Sequence, residues 1–243
     1  MNVAPRVGLA GWSEAVSRYR SRFPRITGTG LERYASALNL VEVNVSFYRQ
    51  VRHSTYEGWA AQTPQDFAFS VKMSRSVTHF ARLSGNAPLD PFWESVAGLG
   101  DKLKAVLVQL PPSLAFEAEH AAAFFARMRS AFEKTIAVEG RHTTWFGDDV
   151  RPLYDEFGLT EVATRIPEAS TESAPAYYRL HGEPRRYRSP YSTEQLARLA
   201  SDLSLRTADS LVIFDNTASS AGVDNALTLR DLLEPGAETT KND

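Results

Sequence analysis

Seven ionisable side chains stand where short apolar runs would otherwise bury hydrocarbon: Glu42, Lys72, Glu139, Arg141, Arg179, His181 and Asp215. Lys72, Arg141 and Arg179 have the chemistry to hold a phosphate or carboxylate, the arginines through a planar bidentate fork. Glu42 or Glu139 would then serve as general base and His181 or Lys72 as partner acid, because packed like and unlike charges split pKa values into a useful range. Glu139 and Lys72 are the leading catalytic pair. This equipment suits isomerase, lyase or hydrolase chemistry on a small phosphorylated or carboxylated substrate. A divalent metal on Glu42, Glu139, His142, His181 and Asp215 is the less favoured variant. Three cations share the site, and neither HxH nor HExxH occurs. No organic-cofactor motif is present, and no metal ligand is assigned.

The elements that must position these groups are short and regular. Strand-like runs recur at Arg6–Trp12, Val41–Tyr48, Phe67–Lys72, Ala105–Leu110, Thr135–Gly140, Glu161–Ile166, Ala176–Gly182 and Ser210–Asn216. Helical patterns separate most of them. Leu31, Tyr34, Ala35 and Leu38 form an amphipathic stripe, and Ser54 with Glu57 and Ser192 with Gln195 read as capping boxes. Asp90–Pro91 opens a helix that Gly100 closes. Glu117–Phe132, Val150–Phe157 before Gly158, and Val223–Leu233 complete the set. Eight strands alternating with helices predict a parallel (β/α)8 barrel of the TIM type in a single domain, residues 1–234, with a polar tail at 235–243. The nine residues Pro167–Pro175 are too few for a full helix, so one outer helix is expected to be missing between strands six and seven.

Strand side chains alternate between faces. In Val41–Tyr48 the apolar face is Val41, Val43, Val45 and Phe47, so Glu42, Asn44, Ser46 and Tyr48 would point inward. The same alternation turns Trp12, Lys72, Gln109, Glu139, Arg179, His181 and Asn216 inward, with Arg141 and Asp215 beside them. A barrel interior is normally filled by branched apolar side chains, and enzymes on this fold build their sites at the C-terminal strand ends. Charges and amides at those ends therefore mark a ligand pocket, to which Trp12, Asn44, Tyr48, Gln109 and Asn216 contribute contacts. The competing reading is a structural network of buried charges.

Composition narrows the function classes. The chain has 243 residues, 43% hydrophobic and 23% charged, with a formal charge of −2. That size can bury a full core, and the charge does not favour a broad nucleic-acid binder. The absence of cysteine excludes disulfides, thiolate zinc sites and a cysteine nucleophile. With no apolar run near the length of a membrane span and no leader pattern, no membrane partner is expected, and the cytoplasm is the expected compartment. Oligomeric state is not legible. One segment supports an alternative class. Arg185-Arg-Tyr187-Arg188-Ser-Pro-Tyr191 interleaves cations with tyrosines, a pattern suited to phosphate contact and base stacking by Tyr187 and Tyr191. Arg18, Arg20, Arg22 and Arg25 add charge on the same expected rim. The alternative is thus a polyanion or single-stranded nucleic-acid binder, nuclease- or repair-related.

Several stretches together resemble the YecE-like family, a family of unknown function. They are Gly11-Trp-Ser13, Glu42-Val-Asn-Val-Ser-Phe-Tyr-Arg49, Phe69-Ser-Val-Lys72 with Thr78-His79, Gln109-Leu-Pro-Pro-Ser113, Glu139-Gly-Arg-His142 through Trp145, Tyr178-Arg-Leu-His-Gly182, and Phe214-Asp-Asn-Thr217 with Asn225-Ala226. They bring Arg49, His79, His142 and Trp145 into the set of candidate ligand contacts. The resemblance implies a TIM-type barrel and delivers no activity. The chain departs from the family pattern at Glu14, at Thr164-Arg165 and at Asp215.

Overall fold

The computed structural model describes residues 5–167, 177–206 and 209–234. The eight described strands are β1 (Arg6–Leu9), β2 (Leu40–Val43), β3 (Ala68–Lys72), β4 (Leu103–Gln109), β5 (Thr135–Glu139), β6 (Leu159–Glu161), β7 (Tyr177–Leu180) and β8 (Leu211–Phe214). They join one sheet in the order β6-β5-β4-β3-β2-β1-β8-β7, and the registered pairs are parallel. Just past β6, the Val162 N–H donates to the Val138 carbonyl. Ala163 bridges in parallel to Tyr178 of β7. The topology is that of a (β/α)8 barrel of the TIM type, as expected from the alternation of strands and helices. The chain forms two compact units, Val41–Val162 and the remainder (1–40 with 163–243). The tail from Pro235 and most of the Pro167–Pro175 connection lie outside the described residues.

In the Val41–Val162 unit, β2 to β6 alternate with α3 (Val45–Tyr48), α4 (His53–Ala61), α5 (Asp90–Val96), α6 (Ala118–Ala131) and α7 (Arg151–Phe157). Phe67, Phe69, Val71, Val106, Val108, Phe124, Phe125, Met128 and Val138 are buried and form its core. Gly158 takes the left-handed conformation (φ 55°) that stops α7, the role its position predicts. Gly100 (φ 53°) interrupts the helical turn that continues α5. Register places Gln109 of β4 directly beside Glu139 of β5, and Lys72 of β3 beside Leu107.

The other unit holds β1, β7 and β8 with α1 (Ser13–Arg18), α2 (Gly30–Ala35), α8 (Thr193–Ser204) and α9 (Ala221–Leu233). Thr29 and Glu32 close a capping box at α2, and Ser192 with Gln195 close the expected one at α8. Tyr34 is fully buried. Its hydroxyl donates to the Leu40 carbonyl and accepts from the Leu9 N–H, tying α2 to the strand ends at 2.7 and 2.8 Å.

Three expectations are corrected. The second strand ends at Val43, not Tyr48, because Asn44 turns into helical geometry (φ −97°, ψ −17°) and Val45–Tyr48 form one helical turn. The Ser46 hydroxyl stabilises that turn by donating to the Val43 and Lys72 carbonyls at 3.0 and 2.7 Å, so it competes with strand pairing. The sixth strand is Leu159–Glu161, earlier than Glu161–Ile166, since pairing with β5 begins directly after Gly158. Ser54 caps nothing: α4 begins at His53 behind Arg52, with no side-chain cap. His53 instead lies 2.8 Å from the Glu94 carbonyl through Nδ1 and 3.4 Å from Glu57 through Nε2.

Candidate functional site

In the Val41–Val162 unit the C-terminal strand ends carry the expected polar groups. Glu42 is fully buried on β2, Lys72 ends β3 at 8% exposure, and Glu139 ends β5 at 2%. Arg141, two residues past β5, turns back on its own strand. Its Nε and Nη2 each lie 2.9 Å from Glu139 Oε1, and Nη2 also donates to Gln109 Oε1 at 3.1 Å. The register explains this fork, because adjacent strands present the carboxylate and the amide side by side. Arg141 keeps about a quarter of its side chain open to solvent (26%), and its Nη1 has no protein partner among the described residues.

His79 lies on a π-helical turn, Ser76–Phe80, after β3. Its Nδ1 is 2.9 Å from the Thr78 hydroxyl, and its ring meets Phe47 edge-on at 5.0 Å. The Lys72 Nζ sits 4.3 Å from the centre of the same Phe47 ring. Burial pushes the His79 pKa down, and Lys72, Arg141 and Arg75 repel its proton further. One imidazole thus feels three cations, an arrangement suited to an anion.

The remaining expected contacts in this unit divide. Asn44 stays half-buried, and its Oδ1 has no hydrogen-bond partner among the described residues. Tyr48 is 65% exposed, because the helical turn faces it outward where strand alternation had it inward. Arg49 lines a separate cleft with Ser46, Ser74 and Ser76; Lys72, His79, Gln109, Glu139 and Arg141 do not line it. His142 caps the Thr143–Phe146 turn, its Nδ1 accepting from the Thr144 N–H at 3.3 Å. Trp145 is 3% exposed and donates its indole N–H to the Leu114 carbonyl at 2.9 Å. These last two contacts hold loops together.

In the other unit Asp215, just past β8, receives Arg179 Nη2 and His181 Nδ1 on one oxygen, both at 3.0 Å. The His181 ring is 97% buried and meets Tyr187 edge-on at 5.2 Å. A carboxylate that orients an imidazole and is itself pinned by a guanidinium has the make-up of an oriented proton-transfer group. Trp12 flanks the start of α1, half-buried.

The basic loop divides as well. Arg185, Arg186 and Arg188 are exposed, and Tyr187 stands at φ 67° under the Arg186 guanidinium. Tyr191, expected to stack on a ligand, is instead 3% exposed. Its hydroxyl accepts from the Gly182 N–H at 3.0 Å, and burial raises its pKa to about 12. Asn216 is fully buried and donates to the Ser189 carbonyl and to Asn225 Oδ1. Asn225 Oδ1 also accepts from the Tyr191 N–H, and the Asn225 amide group donates to the Tyr191 carbonyl. Asn216 and Tyr191 thus fasten the loop from Gly182 to Tyr191. On the other expected basic segment, Arg18 pairs with Glu14 and Arg22 with Asp224, both at 3.0 Å.

Arg75 and Phe47 were not singled out from the sequence. Arg75 begins the π-helical turn after β3, where strand alternation no longer assigns a direction, and Phe47 read as part of an outward apolar face. No group of three or more His, Cys, Asp or Glu comes together as metal ligands among the described residues, and none of their helices is long and apolar enough to cross a membrane.

The topology and the polar strand ends define a parallel (β/α)8 barrel protein with charge where such barrels usually place hydrocarbon. The model of the family described as "Protein of unknown function DUF72" matches residues 6–243, and the chain belongs to that family, the one its YecE-like motifs resemble. It is 23% identical to the UPF0759 protein YunF of Bacillus subtilis over 94% of both chains. A solved DUF72 protein of Thermotoga maritima shares 25% identity at a TM-score of 0.74, covering 95% of this chain and 99% of that one. One from Enterococcus faecalis shares 25% at a TM-score of 0.73, covering 94% of each.

Proposed function

We propose that the protein is an acid–base enzyme acting on a small phosphorylated or carboxylated substrate at the C-terminal strand ends of the Val41–Val162 unit. The observation that carries this reading is the Arg141 fork on a carboxylate, Glu139, that is 98% buried, with Lys72, Arg75 and Arg141 all disfavouring the protonated form of His79. Apolar packing would be at least as stable as such a cluster, which favours a ligand over a purely structural role. In this reading Arg141, its Nε and Nη2 committed to Glu139 and Gln109, turns Nη1 to the substrate anion. Lys72 supplies charge or a proton, and Glu139 removes a proton from the bound substrate. The neutral imidazole of His79 donates or accepts one hydrogen bond. Isomerisation and elimination next to a carbonyl or carboxylate need these parts and no more.

The test is a thermal-shift screen of sugar phosphates and small carboxylic acids, followed by assay of the binders for turnover. A ligand at about 100 times its dissociation constant adds ~2.7 kcal/mol, on the order of 5–10 °C for a chain of this size. Lys72→Ala should remove the shift, and Glu139→Gln should retain binding while stopping turnover. If every stabilising anion still binds the Lys72→Ala protein, the reading is wrong.

A second reading, binding of a polyanion such as single-stranded nucleic acid, is favoured by the exposure of Arg185, Arg186 and Arg188 around Tyr187. It is the weaker one, since Tyr191 is buried and half of the Arg18–Arg25 cations are paired. Its test is oligonucleotide binding by the Arg185→Ala, Arg186→Ala double variant, which should lose affinity together with much of the salt dependence.

A further inference from the structure

The Val41–Val162 unit has an opening whose lining includes none of the charged groups assigned to the proposed reaction. It is a cleft of about 600 Å³, its open mouth included, between the turns that follow β2 and β3 and the start of α5. The space within the cleft itself is about 230 Å³, below the ordinary range of small-molecule sites, roughly 300–1,000 Å³, and sized for a compact ligand. Val51, Tyr56, Pro88, Pro91 and Phe92 make most of its wall apolar.

The polar groups on the wall are nearly all committed. Ser46 donates to backbone carbonyls, Ser95 donates to the Val51 carbonyl, and the Gln50 amide reaches the Pro91 carbonyl at 3.5 Å. The Tyr56 hydroxyl hydrogen-bonds Ser46. Two features are left over. The hydroxyls of Ser74 and Ser76 bond each other at 2.8 Å, which uses only one of their two protons. Arg49 makes no side-chain hydrogen bond or ion pair with any described residue. A cavity with apolar walls, one uncommitted guanidinium and one uncommitted hydroxyl proton is complementary to a molecule of matching make-up.

We propose that this cleft is a binding site for a small amphipathic anion, a single carboxylate or phosphate monoester on a compact apolar body. Arg49 takes the anionic group, the Ser74–Ser76 pair adds a hydrogen bond, and Val51, Pro91 and Phe92 cover the apolar part.

The experiment is calorimetric titration of the full chain with benzoate and with phenyl phosphate. Benzyl alcohol, acetate and inorganic phosphate serve as half-ligands. At least one whole probe should bind about tenfold or more tightly than its halves, and the better of the two names the anion. Arg49→Gln, a change at an exposed side chain, should weaken that probe at least about tenfold, the usual worth of a charged hydrogen bond. Ser76→Leu, which fills the cleft, should do the same. Arg141→Ala should leave the affinity within about twofold, so that failure here and failure of the proposed reaction give different results. Undiminished binding by the Arg49→Gln protein overturns the proposal. So does loss of binding in Arg141→Ala alone, or the absence of binding by either probe at millimolar concentration.

Discussion

Arg141 decides the local energetics of the candidate site, because it donates twice to a carboxylate that water barely reaches. Replacing it by alanine withdraws a charged donor from buried Glu139 and from Gln109. Stability should fall by about 1–3 kcal/mol, read as a lower urea midpoint with an unchanged slope; an unaltered midpoint would show that the fork contributes nothing. His79 makes a prediction of opposite kind. Its folded pKa lies below the ordinary value, so the unfolded chain binds the proton more readily. The contribution of His79 is therefore complete above about pH 6.5, the unfolded value, and is lost as pH falls through the folded value. His79→Gln should flatten the fall in stability between about pH 7 and 5, and an equally steep fall would contradict this. At this scale much was legible from sequence. Lys72, Gln109 and Glu139 follow from simple alternation along strands that end within one residue of the expected position. Arg75 was not legible, since it opens a short π-helical turn beyond the end of the strand pattern, and Tyr48 was misplaced because the strand carrying it stops early.

Among the elements, the segment after β7 shows how a loop is fixed without regular structure. Gly182 stands at φ 85°, where a Cβ would lie 2.4 Å from the Ser189 carbonyl oxygen and 3.0 Å from Asn216 Cβ. Gly182→Ala therefore meets both backbone strain and a clash with backbone. It should cost about 2 kcal/mol or more, a fall in Tm of several degrees. Because Tyr191 and Asn216 anchor the same loop, the variant should also expose Tyr191 and lower its pKa, which burial pushes up to about 12. A spectrophotometric titration with the Tyr191 midpoint unmoved would show that the anchor survives. The capping box at Ser192 was readable because its chemistry is local. The one supposed at Ser54 failed for a tertiary reason: Arg52 and His53 already begin α4, and His53 is tied to Glu94 of α5. β2 failed through Ser46, whose hydroxyl gives the backbone an alternative to the ladder. Short polar side chains at strand ends carry this ambiguity in any sequence.

For the whole molecule, eight strands alternating with helices were enough to read the topology, and the solved DUF72 proteins share the fold at TM-scores of 0.73 and 0.74. The two compact units were not foreseen; the chain crosses between them inside β2, between Leu40 and Val41, and again between Val162 and Ala163. A strand cannot melt by halves without breaking its own ladder, so we propose that the chain unfolds as a single domain. Calorimetry should give one transition whose measured enthalpy equals the van't Hoff value, and two resolved transitions would refute this. The central claim is that Lys72, Arg75 and Arg141 hold an anion at His79. It is tested most directly by following the His79 imidazole through a pH titration by NMR, with and without inorganic phosphate. The account predicts a midpoint below ~6.5 in the free protein, where burial and three cations oppose protonation. Added phosphate should raise that midpoint by offsetting the cations, and Arg141→Ala should diminish the rise. A His79 midpoint that phosphate leaves where it was would contradict the account.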